Sequence, residues 1–392
     1  MRTLILSDLH LGSVSGADLL RRADVRARLL ELVAEVERVV LLGDVLELRH
    51  GPMRDAMARA RSFFEDLGQA LSGRELIITA GNHDHALVDP WLLARGLDEV
   101  PEPLGLEQLF EPAAASPALA RIAEWASPAR TRVAYPGLWV RPDVYATHGH
   151  YLDSHLTVPT LERLSVGVMS RLLGRRAESF DSVSDYEAMG APVFAWRDAV
   201  AREELTGDAL NGIATVSAWR TLRGGGDLGG QEARRTPRSL SRAKALRSLR
   251  ARALVLGFPV AVAALNRAGL GPLKAEVSTA ELRRAGLRAM GEVAARLGLG
   301  DSYVVFGHTH RTGPLPGDEE SEWRGRLGAR LINTGSWTYA SIFLSDAPGE
   351  SPYWPGGCVL VEDDGPPRVL RLLQDHTREQ IRPSRRSAAE PT

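Results

Sequence analysis

Five short groups of His, Asp and Asn occur in a fixed order along the chain, and all three residue types bind metal ions. The groups are Asp8-Leu9-His10, Gly43-Asp44, Gly81-Asn82-His83-Asp84, His148-Gly149-His150 and Gly307-His308-Thr309-His310. Any one alone would indicate a turn or a strand end, because Gly-Asp pairs are common in turns. Five in order, each placed after an apolar run that predicts a strand, predict a metal site instead.

The ligand types indicate two divalent ions that share one carboxylate. Asp8 and His10 are two residues apart at a strand end and can enter the same site. Asp44 has two carboxylate oxygens and can bridge, and Asn82 offers an amide oxygen. The remaining predicted ligands are His148, His308 and His310. Carboxylates suit hard cations and imidazoles suit Mn, Fe or Zn. We therefore expect two divalent ions, with Mn first and Fe or Zn as alternatives.

Apolar, mostly β-branched runs that end at these groups predict the strands of an α/β fold. The predicted strands are Leu4–Leu6, Val39–Leu42, Leu76–Thr79, Val144–Thr147, Tyr303–Phe306, Leu331–Asn333, Cys358–Val361 and Arg368–Leu372. Helical patterns lie between the early strands, at Ala17–Val36 and Asp55–Leu71. Ligands at strand carboxyl ends are typical of α/β sites. The close spacing of the late strands favours a mixed or double sheet.

The organisation along the chain predicts a catalytic core interrupted by insertions. The core comprises 1–150 and 303–374, with an irregular Pro- and Ala-rich insert at 86–142, and a polar, disordered tail follows at 375–392. A helical cap is predicted at 151–302, with helices at Thr160–Leu173, Asp185–Glu204, Leu210–Leu222, Pro237–Leu256 and Thr279–Leu297. The glycine-rich stretch Gly224–Gly230 divides it and lacks the G-K-[ST] ending of a phosphate-binding loop.

These motifs resemble those of the calcineurin-like metallophosphoesterase superfamily, in its bacterial branch, whose pattern is D-x-H, G-D, G-N-H-[DE], H and G-H-x-H. The resemblance covers roughly 1–85, 143–150 and 303–340. It implies an αββα sandwich of two stacked mixed sheets. It also implies one metal on Asp8, His10, Asp44 and His310, and a second metal on Asp44, Asn82, His148 and His308.

The implied activity is hydrolysis of a phosphodiester, pyrophosphate-linked or phosphomonoester small molecule by a metal-bridging hydroxide. The resemblance makes His83 the candidate general acid. It places Glu47 where protein phosphatases carry the aspartate that orients this histidine. We therefore predict a Glu47–His83 pair that favours the charged imidazole. A salt bridge from Glu47 to Arg49 or to a nearby arginine is the alternative, and Asp84 is a second candidate for orienting His83.

The chain departs from the serine/threonine phosphatases, which carry G-D-x-V-D-R-G and G-N-H-E. Here the sequence after Gly43 is Asp44-Val45-Leu46-Glu47-Leu48, so the phosphate-binding arginine of that position is missing. The form Gly43-Asp44-x-x-Glu47 is similar to bacterial phosphoesterases, including the UDP-2,3-diacylglucosamine hydrolase branch. That branch usually has Arg where His83 stands. The sequence therefore favours a small-molecule substrate over a protein.

Two further histidines are candidates for contacting a substrate. His150 follows His148 by two residues and could face the same cleft, and His85 follows His83 by two. A structural role inside the fold is the alternative for each of them.

The stretch Arg234–Arg252 is rich in basic residues, has no acidic one, and leads into the apolar run at 253–265. A solvated helix face leading into a buried helix is one interpretation. A surface for anionic lipids, and with it a lipid-linked phosphate substrate, is another. Few aromatic residues are interleaved for base stacking, which argues against nucleic acid.

The bulk composition sets the remaining limits. The chain has 392 residues, 25% of them charged, with a net charge of −1, which gives no global attraction to nucleic acid or membranes. Cys358 is the only cysteine, so an internal disulfide is excluded. The apolar N-terminus predicts a first strand rather than a signal peptide. We expect a cytoplasmic protein, with peripheral membrane association as an alternative. A non-catalytic scaffold of the same fold is the competing class, although such proteins usually lack some ligands.

Overall fold

The computed structural model describes residues 1–97, 102–158, 160–202, 262–268, 271, 273, 279–345 and 347–383. Within these residues the chain is a mixed α/β protein with one large mixed sheet and flanking helices, which confirms the predicted class. The described strands are β1 (Thr3–Leu6), β2 (Arg38–Leu42), β3 (Glu75–Thr79), β4 (Glu107–Phe110), β5 (Arg130–Arg141), β6 (Val144–Thr147), β7 (Tyr303–Phe306), β8 (Thr312–Gly313), β9 (Arg330–Thr334), β10 (Gly357–Val361) and β11 (Arg368–Arg371).

These strands form one hydrogen-bonded sheet in the order β11-β10-β1-β2-β3-β5-β6-β7-β9-β8, with β4 added along β5. Strands β1, β2 and β3 are parallel, and so are β6, β7 and β9. The resemblance implied two stacked sheets, whereas the hydrogen bonding is continuous. Strands β9 and β10, from opposite halves of the order, nevertheless contact each other. The sheet therefore bends back on itself.

The long strand β5 makes this bend and joins the two halves. Its first part pairs with β3 in parallel, and Ile78 at the end of β3 faces Val133. Its second part pairs with β6 in antiparallel, and Thr147 at the end of β6 faces Gly137. Both neighbouring strands therefore point their carboxyl ends at the middle of β5. The loops that follow β3 and β6 are brought together by this arrangement.

Alternating side chains along the strands divide the apolar core into two clusters. Leu4 and Leu6 of β1 belong to a cluster that also contains residues of the helices, including Phe63 and Phe64. Ile5, on the opposite face, belongs to a cluster formed by residues of β1, β2, β3, β5, β6, β7, β9 and β10. One face of the sheet is thus covered by helices, and the other packs strand against strand.

The described α-helices are α1 (Ala23–Val33), α2 (Met53–Ala70), α3 (Asp89–Arg95), α4 (Pro112–Ala115), α5 (Pro117–Trp125), α6 (Leu161–Leu173), α7 (Val183–Arg202), α8 (Thr279–Arg296) and α9 (Arg378–Ile381). Helix α2 buries one apolar side, with Phe63, Phe64 and Leu67 against the sheet. The helix predicted over Ala17–Val36 is shorter. A 3-10 turn at Leu19–Arg21 precedes it, and α1 begins at Ala23.

Two segments differ from the sequence-based expectation. Residues 86–142, predicted to be irregular, contain α3, α4, α5, the edge strand β4 and the central strand β5. The tail predicted to be disordered from residue 375 contains α9. There Thr377 and Gln380 form a reciprocal capping box, and Ile381 is fully buried. Residues 384–392 of that tail lie outside the described part.

The chain divides into two compact units. One comprises Met1–Leu152, Phe180–Leu205 and Met290–Thr392, and the other Asp153–Ser179 and Thr206–Ala289. Helix α7 therefore groups with the sheet, although it falls in the predicted insert at 151–302, whose boundaries stay a prediction.

Several predicted features lie outside the described residues. They are the helices at Leu210–Leu222 and Pro237–Leu256, the glycine-rich stretch Gly224–Gly230 and the basic stretch Arg234–Arg252. Among the helices that the structure describes, none combines the length and apolar character needed to cross a bilayer.

Candidate metal centre

The seven predicted ligands follow the carboxyl ends of five strands. Asp8 and His10 follow β1, Asp44 follows β2, and Asn82 follows β3. In the other half of the sheet, one ligand follows β6 and two follow β7: His148, His308 and His310. The bend in β5 explains how ligands from the two halves meet, since the ends of β3 and β6 converge there.

The backbone is strained at most of these ligands. Six non-glycine residues in the described part of the chain have positive φ, and five of them are predicted ligands: Asp8, His10, Asp44, His308 and His310. Each such residue costs about 1–3 kcal/mol, and strain of this kind concentrates at functional sites. The fold therefore maintains an unfavourable backbone at the positions where the motifs predict metal binding.

Three motif glycines are required by close approach. A Cβ on Gly43 would lie 2.6 Å from the ring of His148. A Cβ on Gly81 would collide with Asp44 and lie 2.8 Å from His148, and one on Gly307 would collide with Ser7 and Asp8. These residues are glycine because the ligand side chains fill the space next to them.

The first ligand cluster is formed by Asp8, His10 and His310. His310 Nε2 lies 3.2 Å from Asp8 Oδ1 and 3.3 Å from His10 Nε2. His10 Nε2 is 3.9 Å from Asp8 Oδ1. Three donor atoms of the first predicted metal therefore converge.

The second cluster is formed by Asn82, His148 and His308. Asn82 Oδ1 lies 3.1 Å from both His148 Nε2 and His308 Nδ1. If the amide is flipped by 180°, its N–H₂ group donates to both histidines and its oxygen accepts from Arg49 at 3.0 and 3.2 Å. Metal binding requires the first orientation, because the amide oxygen is the ligand.

Asp44 joins the two clusters through one oxygen. Its Oδ2 is 3.7 Å from His10 Nε2 and 3.3 Å from His148 Nε2. Its other oxygen, Oδ1, accepts the backbone N–H of His83 at 2.8 Å. The hydrogen bond to Oδ1 fixes the carboxylate so that Oδ2 faces both clusters.

The spacing of these atoms fits metal coordination. Two ligands at neighbouring corners around an ion with bonds of about 2.1 Å lie roughly 3.0–3.4 Å apart. Most of the separations within the clusters fall in or near that range. Three overlapping groups of ligand atoms could hold an ion: Asp8, His10 and His310; Asp44, His148 and His308; and His10, Asp44 and His83. The geometry fits divalent metal ions without identifying the element.

The electrostatics of the cluster also favour a cation. Burial raises the pKa of Asp8, but the charges of His310 and His148 outweigh it and lower that pKa to about 2. Burial lowers the pKa of His148, but Asp44 outweighs it and raises that pKa to about 9. The buried carboxylates are therefore ionised and attract protons onto the imidazoles. A bound metal ion would displace those protons.

Neighbouring groups fix the tautomers of two ligand histidines. His148 Nδ1 donates to the carbonyl oxygen of Leu42 at 3.0 Å, which leaves Nε2 as the ligand atom. His10 Nδ1 lies 3.1 Å from Glu47 and has the same consequence. Such outer partners orient metal-binding imidazoles and raise their basicity.

The predicted pair of Glu47 and His83 is present. His83 Nδ1 lies 3.0 and 2.9 Å from the two oxygens of Glu47. The predicted effect on charge is different, because burial and the positive charge of Arg49 lower the pKa of His83 to about 4. Glu47 also serves His10, so its single negative charge is shared between two imidazoles. Arg49 contacts Glu47 by a backbone hydrogen bond, in which Arg49 N donates at 3.0 Å, and this is not the salt bridge of the alternative interpretation.

Asp84 acts on the backbone of the bridging loop. Its carboxylate accepts N–H groups from Asp44 at 3.2 Å, Val45 at 2.7 Å, Leu46 at 3.1 Å and Gly81 at 2.7 Å. Burial and the charge of Asp44 raise its pKa to about 6. Asp84 thus ties the loop after β2 to the loop after β3, which differs from the predicted contact with His83.

The two candidate substrate histidines have different surroundings. His150 is buried beside His148, with 5.6 Å between ring centroids, and neither of its ring nitrogens has a hydrogen-bond partner in the described part of the chain. Contact of His150 with a substrate stays a prediction. His85 is fully buried, and both its nitrogens are engaged, Nδ1 with Asp89 and Nε2 with Tyr135 and Glu187. The structure leaves His85 no free nitrogen for a substrate.

Sequence reasoning missed one charged residue beside the centre. Arg49 is buried, donates to the carbonyl oxygen of Asn82 at 2.5 Å, and keeps an Nε–H without a partner among the described residues. The arginine of the protein-phosphatase motif was sought at position 48, where this chain has Leu48. The available signal was an arginine one residue later in the same loop.

Comparison with known proteins adds no assignment. No protein-family model matches the chain, and no curated protein matches it. The resemblance to the metallophosphoesterase superfamily therefore comes from the sequence motifs alone.

Proposed function

We propose that this chain is a dinuclear metal-dependent phosphoesterase of the calcineurin-like kind that hydrolyses a small-molecule phosphate ester. The motif order supports the proposal, and so does the meeting of both ligand clusters at one sheet edge. The strand-only cluster between the halves of the bent sheet is compatible with an αββα sandwich. Phosphodiesters, pyrophosphate-linked compounds and phosphomonoesters remain candidate substrates.

The observation that carries the proposal is the position of Asp44. One of its oxygens lies within 3.7 Å of a histidine nitrogen from each ligand cluster. A carboxylate placed between two sets of metal ligands is the arrangement that two-metal hydrolases need. When bound, the ions would activate a water molecule and neutralise the phosphoryl oxygens, and Mn is the first candidate element.

His83 would supply a proton to the leaving oxygen. Its Nδ1 is held by Glu47, so Nε2 is the nitrogen available to a substrate. At a pKa of about 4 the ring is neutral at pH 7. The negative charge of a phosphate ester beside it would raise that pKa, since an adjacent anion favours the imidazolium. Glu47 keeps the ring oriented for the transfer.

Arg49 would hold a phosphoryl oxygen. When the amide oxygen of Asn82 faces a metal, it does not accept a hydrogen bond from the guanidinium of Arg49. The buried guanidinium then has N–H donors available for a phosphoryl oxygen. Arginine suits phosphate because its donors form a planar fork. Arg49→Gln is expected to raise the KM for an ester while the metal content stays unchanged. An unchanged KM would remove Arg49 from the substrate site.

The test is hydrolysis of bis(p-nitrophenyl) phosphate and p-nitrophenyl phosphate by the purified chain, with Mn²⁺ or with EDTA. We expect Mn-dependent turnover that is lost in Asp44→Asn and kept in Asp143→Asn, a half-exposed control. In His83→Gln turnover should fall while two metals stay bound. Bound metals without turnover on any phosphate ester would count against an esterase, and absence of bound metal would favour the scaffold interpretation.

A further inference from the structure

A second group of buried polar residues lies next to the metal centre and takes no part in the proposed reaction. Glu187 of α7 is its hub and accepts hydrogen bonds from Tyr135 at 2.6 Å and from Tyr151. His85 Nε2 lies 3.3 Å from Glu187, and His85 Nδ1 lies 2.6 Å from Asp89. One carboxylate on one helix therefore connects three separate segments of the chain.

The centre of this network is buried. His85 and Tyr135 have no exposed surface, and the ring of Phe194 packs 5.0 Å from that of His85. Burial lowers the pKa of His85, but Asp89 and Glu187 outweigh it and raise that pKa to about 10. The imidazolium is buried and lies between two carboxylates, of which Glu187 is buried and Asp89 is partly exposed. Hydrogen bonds among buried charged groups have strict geometry, because an unpaired partner there is costly.

Two of the segments that Glu187 joins carry ligands of the second cluster, Asn82 and His148, whereas its third ligand, His308, lies on the loop after β7. His85 comes three residues after Asn82, and Tyr151 comes three residues after His148. Tyr135 lies at the middle of β5, where the carboxyl ends of β3 and β6 converge. The loops that carry Asp8, His10 and His310 have no bond to this network among the described contacts. The hub is therefore linked to the loops of two ligands of the second cluster and, among the described contacts, to none of the first.

We infer that Glu187 is a positioning residue for the second metal site, holding the Asn82 and His148 loops at the separation that binds the ion. It sets the affinity for the second metal and leaves the first unaffected. This inference rests on the proposed dinuclear site. Helix α7 then has a function, because it contains none of the ligand motifs but supplies the carboxylate that holds the second metal site in place.

The experiment is a calorimetric titration of the metal-free full-length chain with Mn²⁺, which measures the affinities. Metal analysis after dialysis counts the bound ions. Wild type should bind two ions per chain. Glu187→Gln should keep the affinity of the first ion and bind the second roughly 10–100-fold more weakly, the range for outer partners of metal ligands. Tyr151→Phe removes one hydroxyl from the hub and should weaken the second site less. Tyr151→Phe is also the variant that tests the inference if Glu187→Gln fails to fold.

The control separates positioning from a general loss of stability. Phe63→Leu truncates a buried ring of α2, a helix that carries none of the predicted ligands. It should lower the unfolding temperature and leave both affinities as in wild type. Equal weakening of both sites in Glu187→Gln would assign the residue a merely structural role and overturn the inference, as would two unchanged affinities. Wild type without bound Mn²⁺ would overturn the proposed function as well.

Discussion

Glycine 81 shows how tightly single residues are constrained at this centre. A methyl group there would meet Asp44 N at 2.6 Å and the His148 ring at 2.8 Å. Gly81→Ala must therefore displace the shared carboxylate. We expect weaker Mn²⁺ binding at both sites and turnover lower by about 10²-fold, the order that a displacement of 1 Å costs. Calorimetry and a hydrolysis assay measure the two effects.

Gly105→Ala is the matched control, since the nearest atom to its Cβ would be a flexible side-chain nitrogen of Gln108 at 3.4 Å. It should bind and turn over as wild type does. If Gly81→Ala also behaved as wild type, the ligand loops would be far more adaptable than the close contacts indicate.

His85 gives the clearest prediction of how the stability of the fold depends on pH, because its side chain is fully buried. The ionisable groups around it are Asp89, Glu187, Tyr135 and His150, and the net effect raises its pKa from 6.5 to about 10. A raised pKa in the folded state stabilises the protein fully below pH 6.5, and this contribution is lost as the pH rises towards 10. The change is about 1.4 kcal/mol per pH unit within that window.

The measurement is urea unfolding of wild type and His85→Gln at pH 6, 8 and 10. The free energies of unfolding should differ by several kcal/mol at pH 6 and converge at pH 10. A difference that does not depend on pH would mean that His85 is neutral in the folded protein.

At the scale of elements, the strands that carry ligands could be predicted because each apolar run is followed closely by a ligand motif. Val39–Leu42 and Leu76–Thr79 are apolar, β-branched runs, and the structure has strands there that begin one residue earlier. Strand β5 was missed because Pro136 and Gly137 interrupt a run with arginines at both ends. Proline within an apolar run argues against a strand by local criteria. Only the partners on both sides of β5 reveal it.

The same reasoning explains which site residues could be found. The ligands lie in short local motifs, whereas the Glu47–His83 pair spans 36 residues and was predicted from the resemblance to the protein phosphatases. Arg49 lay one residue from the expected position. The contact of Glu187 with His85 spans 102 residues, and an acidic residue inside a helix carries no local signal of it. Pairings of this kind become visible only in three dimensions.

Helix α9 yields the prediction at this scale. Its four residues dock through Ile381, which is fully buried in the helix-covered core cluster. Ile381→Ala should lower the free energy of unfolding by about 2–5 kcal/mol, the usual range for truncating a buried isoleucine. Glu379→Ala, at an exposed position of the same helix, should change it by less than about 0.5 kcal/mol. Denaturant unfolding compares them, and equal effects would show that α9 is not docked in solution.

At the scale of the molecule, the backbone at the centre is strained, and this strain reduces the stability of the metal-free chain. Asp8, Asp44 and Glu47 are all buried, and each has a carboxylate oxygen within a few ångströms of a ring nitrogen of His10. Ions that bind the folded state but not the unfolded state recover that free energy. Binding to each site adds about 2.7 kcal/mol when free metal is at a hundred times its Kd.

We therefore expect Mn²⁺ to raise the unfolding temperature of the wild-type chain in proportion to the logarithm of its concentration, and EDTA to reverse the shift. Asp44→Asn should abolish most of the shift, because both clusters lose the carboxylate that they share. The same substitution should lower the stability of the metal-free protein at neutral pH, because the charges of His148 and His83 hold the pKa of Asp44 well below its usual value and the ionised carboxylate is lost. Differential scanning calorimetry with and without Mn²⁺ measures all of these quantities. An equal Mn²⁺ shift in wild type and Asp44→Asn would place the bound ions elsewhere on the chain and would remove the bridging role of Asp44.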